Sequence, residues 1–402
     1  MNRGKQLASL MKHHFKVHWS LRLVICCSVI VNFVDLEQLD ADVIGGMEAG
    51  ARRYEETFGD TWISTWGDDD EIYVVSDDSR GFGRAQNTAR NWMIHRLSGT
   101  NPLELVGTTI NTMDEYGFRN QPNSELGYGA SAAQDGRAWK ANGITCIDGV
   151  IYVAVSKHDY PWRNKQLIDM KQTAADASIV KSVDHGLHWT RSAAENYARP
   201  MFPGSRFGAP FFITYGKNGA AKVDGADAYA YAVSNNGFWN NGDDLILGRV
   251  SRSSIANLSS DDWEFYNGNG RDGRLPENWS RDIRGATPIL KDPGRVGMSA
   301  IQYIEPLKMY VLCQWYYPQN KFDGGPTIWS FRTAAAPWGP WTLLFTHTFQ
   351  EGYYNPAIAA KFGSADGLHQ TILVGGDFRK KEWFYKLHAM PISFLPKPIE
   401  QE

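Results

Sequence analysis

A chain of 402 residues with 43 % hydrophobic residues is long enough to bury a large core, and its formal net charge of −3 gives a polyanion nothing to hold. Lys and Arg are scattered rather than interleaved with aromatics in basic runs, so no nucleic-acid partner is expected. The 15 Trp, 18 Tyr, 19 Phe and 39 Gly favour an all-β chain with many tight turns.

At the N-terminus Arg3, Lys5, Lys12, Lys16 and Arg22 precede an apolar run from Leu23 to Val34. A basic region followed by about a dozen apolar residues suits a signal peptide better than a spanning helix, which needs about 20. Residues 1–45 therefore read as a targeting segment and lead-in, 46–395 as one domain and 396–402 as a tail. A secreted or extracytoplasmic monomer is expected, touching a membrane only through the N-terminal segment if that stays uncleaved. The alternative for the first 45 residues is a buried strand and its lead-in. Cys26 and Cys27 are adjacent in the apolar run, whereas Cys146 and Cys313 fall in expected strands. With no Cys-x-x-Cys spacing, structural zinc is not expected, and the latter two read as buried hydrophobes.

Next in order, Gly59-Asp60-Thr61-Trp62-Ile63-Ser64-Thr65-Trp66 and Glu71-Ile72-Tyr73-Val74-Val75-Ser76-Asp77-Asp78 flank an acidic turn at Asp68-Asp69-Asp70. They read as a β-hairpin whose open end sets Asp60 or Thr61 opposite Asp78. The second strand recurs at Ile151–Lys157, Tyr229–Asn235, Met309–Trp315 and, more loosely, Thr371–Asp377. Each copy follows a Gly- or Pro-marked apolar strand beginning near Gly143, Gly208, Gly297 or Asn355. Third strands are expected at Asn91–Arg96, Asp244–Val250, Thr327–Phe331 and Tyr385–Ala389. Only Leu167–Val180 and Ser253–Leu258 look helical, both in loops. Five four-stranded antiparallel units at roughly 70-residue spacing predict a five-bladed β-propeller. Ser182-Val183-Asp184-His185-Gly186-Leu187-His188-Trp189 matches the Asp-box, a structural turn motif of propeller outer hairpins.

In such a fold the starts of first strands and the ends of second strands share one face. That face collects Asp60, Trp62, Asp77, Asp78, Asn142, Lys157, His158, Asp159, Arg206, Asn235, Trp315, Tyr354, Asn355, Asp377 and Arg379. The opposite face holds ordinary turns, and the Asp68-Asp69-Asp70 turn there reads as solvated. Carboxylates, amides, Arg and aromatics around a polar site fit a carbohydrate. Glycoside hydrolysis needs two carboxyl groups, and Asp60 with Asp78 or Asp77 is the candidate catalytic pair. Trp62, Asn142, His158, Asp159, Arg206, Asn235, Trp315, Tyr354, Asn355 and Asp377 are the candidate substrate contacts, and Glu351 is a further carboxylate nearby. No cofactor is expected, although the acids could instead hold a structural Ca²⁺ at the axis. The rival functions are a non-catalytic carbohydrate-binding propeller and a sialidase-like exo-glycosidase. A single Asp-box and five units speak against the latter.

Several stretches resemble a family of propellers that includes the actinobacterial endo-D-arabinanases. They are Gly59-Asp60-Thr61-Trp62 through Asp77-Asp78, Asn142-Gly143-Ile144 through Tyr152, Ser182-Val183-Asp184-His185-Gly186 and Phe211-Phe212-Ile213-Thr214-Tyr215-Gly216-Lys217-Asn218-Gly219. Asp244–Val250, Ala336-Pro337-Trp338-Gly339-Pro340-Trp341 and Tyr354-Asn355-Pro356 complete a set covering roughly 55–390 in order. The resemblance implies a five-bladed fold, hydrolysis of a furanosidic glycan, and a carboxylate pair from the first blade at Asp60 and Asp77 or Asp78.

Overall fold

The computed structural model describes residues 41–84, 88–118, 137–159, 172–193, 199–223, 228–319, 326–378 and 383–396, with the backbone of short strands at 162–163 and 166–167. The apolar N-terminal run and Arg379 lie outside them. The described residues belong to one compact unit, and none of their helices is long and apolar enough to cross a membrane.

Alternating apolar residues bounded by Gly, Asp and Asn turns produce antiparallel strands throughout, and the only helical pieces among the described residues are single 3₁₀ turns. Blade one contains Asp60–Trp66, Ile72–Ser79, Arg90–Ser98 and Val106–Asn111. Blade two contains Ala138–Ile147, Val150–Asp159, Thr173–Ser182 and Thr190–Arg191. Blade three is Phe211–Thr214, Tyr229–Asn235, Gly242–Ser251 and Trp263–Tyr266, and blade four is Ala300–Ile304, Met309–Tyr316, Thr327–Ala334 and Thr342–Phe349. Blade five takes Tyr353–Ile358, His369–Gly376 and Leu387–Pro396, and its fourth strand is Ala41–Met47 from the other end of the chain.

The first strands of the five blades pack on one another in a closed sequence, one to two to three to four to five and back to one. This is the five-bladed, four-stranded arrangement that the repeat implies. A parallel contact of Ile213 with Ile301 joins the inner strands of blades three and four. The axis is packed rather than open: Ile63, Ile144, Phe212, Ile301 and Ile358 line a void of only about 10 Å³.

Three expectations change. Residues 173–182 form the third strand of blade two, not a helix-like loop; the segment is Ala-rich, but its backbone pairs with Val150–Asp159 and small Ala174 and Ala177 fit the core. Pairing overrides propensity there. The blades also recruit residues from before the boundary expected at 46, because Ala41 pairs with Pro396. Third, the Asp68-Asp69-Asp70 turn is pinned rather than merely solvated. Asp68 Oδ1 meets His185 Nε2 at 2.9 Å, Asp69 Oδ2 accepts from Tyr73 Oη at 2.6 Å, and Asp70 Oδ1 accepts from Lys217 Nζ at 3.1 Å.

The Asp-box residues form the outer turn of blade two. Asp184 Oδ1 accepts from Ser182 Oγ and the His188 amide, the Gly186 amide donates to Ser182 Oγ, and Trp189 Nε1 donates to the Gly186 carbonyl. Cys146 and Cys313 are buried free thiols, as their strand positions suggested.

Candidate active site

Asp60 opens the innermost strand of blade one, and its Cα partner is Asp77 rather than Asp78. The cause is a bulge. Trp66 opposite Ile72 and Ile63 opposite Val75 keep the register expected from the turn, but Thr61 takes a left-handed backbone (φ 61) and one residue slips before Asp60. The slip also changes which side Trp62 faces. Its ring packs on Phe82 and His95 between blade layers, and its indole donates to the Gly59 carbonyl, so this expected sugar contact is core.

Three carboxylates end up in one buried cluster. Asp60 is 9 % exposed, Asp77 3 % and Asp78 6 %. Asp60 Oδ2 accepts from Tyr354 Oη at 2.9 Å and Oδ1 from Thr61 Oγ1 at 3.0 Å, and Tyr385 adds a further phenol. Asp77 Oδ1 accepts from the Ala141 amide of blade two at 3.0 Å. Asp78, itself left-handed at φ 46, pairs with the Lys140 ammonium. Burial and the Asp78 charge push Asp60 up to about 6, against the opposing pull of Lys140 and the two phenols. Burial pushes Asp77 well above the ordinary carboxylate range, with Lys140 opposing and Asp60 and Asp78 adding to it.

Behind Asp60, Tyr354 packs against Trp315 and Trp239, and Trp315 against Tyr317, whose phenol donates to Asp377 Oδ2 at 2.9 Å. Trp315 is fully buried with its indole bonded to the Met298 carbonyl, so it supports Tyr354 instead of offering a face to solvent. On the other side, Asn142 Nδ2 donates to Ser156 Oγ, which meets His158 Nε2 at 3.0 Å, while His158 Nδ1 meets Gln172 Nε2 at 2.7 Å. Burial and the Lys140 charge hold His158 well below the usual imidazole range, so it stays neutral. Asn355 (φ 53) follows Tyr354 and donates to the Met298 carbonyl. The Oδ1 atoms of Asn142 and Asn355 are both buried with no hydrogen-bond partner among the described residues.

Other expected contacts lie elsewhere. Asn235 spends both Nδ2 protons on the Phe238 and Val296 carbonyls and accepts from the Gly237 and Phe238 amides, which makes it a loop clamp. Arg206 donates to the Ala286 carbonyl and faces Asp244 at 3.5 Å. Asp159 ends its strand half-buried opposite Thr173, and Glu351 is exposed. Sequence reasoning missed Lys140, Tyr385, Tyr317 and Gln172. The signal for Lys140 was one lysine in the run Ala138-Trp139-Lys140-Ala141-Asn142, but that strand was expected to begin only at Gly143.

Among the described residues, the side chains spaced to hold a metal are Asp68, Asp69 and His185, on the turn face and away from the axial acids. The acids instead have phenol, amide and ammonium partners. A half-open hollow of about 310 Å³, lined by Trp66, Lys217, Gln302, Glu305 and Gln370, also lies on the turn face.

Fold and cluster together define an all-β propeller with a buried tri-carboxylate centre at one end of its axis. No protein-family signature matches the chain, and no curated protein is similar to it in sequence. Among solved structures it is similar to a putative hydrolase from Bacteroides ovatus, at 14 % identity over 83 % of this chain and 85 % of that one, TM-score 0.47. It is also similar to an α-L-arabinanase mutant from Cellvibrio cellulosa, at 10 % identity over 83 % and 91 %, TM-score 0.44. A third is an α-L-arabinofuranosidase from Podospora anserina in complex with cellotriose, at 11 % over 89 % and 96 %, TM-score 0.42. Likeness at this level decides nothing about chemistry, and the endo-D-arabinanase resemblance rests on the motifs alone.

Proposed function

We propose that the protein is a glycoside hydrolase acting on a furanosidic, arabinan-like glycan, with Asp60 and Asp77 as its carboxyl pair. One observation carries the reading: two buried carboxyl groups face each other on paired strands, beside a third carboxylate and the Lys140 ammonium. Three anions cannot all stay ionised in so little water, so the cluster holds a proton at neutral pH. A proton donor beside an ionised partner is what glycosidic cleavage requires.

The surroundings divide the roles. Tyr354 and Tyr385 donate to Asp60 and favour its charged form, whereas Asp77 has one amide donor and the larger upward push. Asp60 is the nucleophile or base, and Asp77 donates its proton to the leaving oxygen. Directly opposed residues hold their Cβ atoms roughly 4.5–5.5 Å apart. An opposed pair suits direct attack through a glycosyl intermediate with retention at the anomeric carbon, which takes carboxyls about 5–5.5 Å apart, better than a water-mediated route, which takes about 6.5–9.5 Å.

The test is a screen of polysaccharides, arabinans and arabinogalactans first, with product analysis by NMR. Retained anomeric configuration is expected in the first product, and inversion would separate the two roles in space. Asp60→Asn should lower turnover by roughly 10²–10⁴-fold in a folded protein. Unchanged turnover removes the assignment, and a wild-type chain that binds glycans without cleaving any would be a carbohydrate-binding propeller.

A further inference from the structure

We propose that Lys140 is a positioning residue that sorts the three acids, pairing with Asp78 and leaving the exchangeable proton to Asp60 and Asp77. The proposal deepens the glycosidase reading and rests on it for its kinetic arm only.

The geometry is a two-point match between blades. Asp77 and Asp78 are consecutive, and they reach consecutive residues of the same neighbouring strand: Asp77 takes the Ala141 amide and Asp78 the Lys140 ammonium. Consecutive residues of a regular strand point to opposite faces, and the left-handed backbone at Asp78 breaks that alternation where both side chains reach the neighbouring strand. Lys140 is 2 % exposed, between Trp139 and Ala141 of the hydrophobic core. A buried ion pair can commonly be replaced by apolar residues at no cost, so stability supplies no reason for a lysine here. A reason appears when its neighbours are counted. Blade one presents Asp60, Asp77 and Asp78. Its own blade presents neutral His158, and Lys157 with its ammonium 5.3 Å from the Trp139 ring. Blade five presents the phenols of Tyr354 and Tyr385 through Asp60, and Asp377 lies one tyrosine further. The Lys140 ammonium can neutralise only one of these three carboxylates.

Asp78 and Lys140 act on Asp60 with opposite signs, the first favouring its proton and the second opposing it. A charge cycle reads this directly. The full chain is compared as wild type, Lys140→Met, Lys140→Arg, Asp78→Asn and the double variant Lys140→Met/Asp78→Asn. Side-chain carboxyl titrations are followed by ¹³C NMR, with Asp60→Asn assigning the signal. Lys140→Met should raise the Asp60 midpoint by about one pH unit or more, and Asp78→Asn should lower it. The double variant should return close to wild type, and Lys140→Arg should stay there. If Lys140→Met does not fold, the double variant, which leaves no uncompensated Asp78 carboxylate, isolates the same charge by comparison with Asp78→Asn. An Asp60 midpoint that coincides in all folded variants overturns the proposal. The titration needs no substrate, so a wild type without glycan turnover would sink the glycosidase reading alone. If turnover is found, the acid limb of its pH profile should follow the same order.

Discussion

Asp60 carries a cost that follows from its surroundings. Its carboxyl titrates near 6 in the folded chain and near 3.8 when exposed. Between those values the folded state binds the extra proton, so stability is fully present below about pH 4 and is lost as the pH rises through about 6. Asp60→Asn removes the penalty. Equilibrium unfolding should show it on the order of 2–3 kcal/mol more stable than wild type at pH 7 and no different at pH 4, one pKa unit being about 1.4 kcal/mol. Equal stability of the two at pH 7 would mean that Asp60 is not desolvated. Under the proposed glycosidase function the same group would set the acid limb: turnover should rise as the pH passes about 6 and fall again when Asp77 loses its proton. Tyr354→Phe deletes a donor to the charged form and should move the rising limb to higher pH. At this scale the sequence revealed which acids would meet, because strand ends must share a face. Lys140 stayed hidden because a single lysine in an apolar run carries no sign of whether its head reaches water or a carboxylate.

At the scale of the strand, bulges in the inner strands decide the site. Register shifts fall between Asp60 and Ile63, Ala141 and Ile144, and Tyr354 and Ala357, in blades one, two and five. Each lies beside an acid-cluster residue or an orphaned Asn oxygen, and each changes which side the next residue faces. Placement by strand ends alone therefore put Trp62 on the wrong side, and the doubled acid left Asp77 or Asp78 open as the second partner. A bulge has no signature beyond a residue willing to turn left-handed, and Thr61 is not one of the usual ones. At the second bulge Gly143 is required by contact instead. A Cβ there would lie 2.5 Å from both Phe211 Cα and the Phe212 nitrogen, backbone atoms of blade three that cannot step aside. Gly143→Ala should cost roughly 1–3 kcal/mol by overpacking. The expected result is a thermal midpoint lowered by several degrees, and an unchanged midpoint would show that the two inner strands are not so close.

The whole molecule was the most legible, since five repeats of one strand motif need no knowledge of contacts to be counted. What the repeat left out was closure. Four blades draw their strands from one continuous stretch, but the fifth borrows Ala41–Met47, whose sequence resembles none of the other outer strands. Removing residues 1–47 should lower the thermal midpoint and leave Ile392–Pro396 as an open edge, visible as self-association in sedimentation. A truncated chain that stays monomeric with an unchanged midpoint would make that strand dispensable.

Closure by the two ends also sets the order of events during synthesis. The strand at 41–47 is made before all the other strands of the ring, whereas its partners at 392–396 follow them. Blades one to four can assemble as they emerge, while the strand at 41–47 waits without a partner until blade five is made. A proteolytic cut on the C-terminal side of Ala41 would take from the ring part of the strand that shuts it.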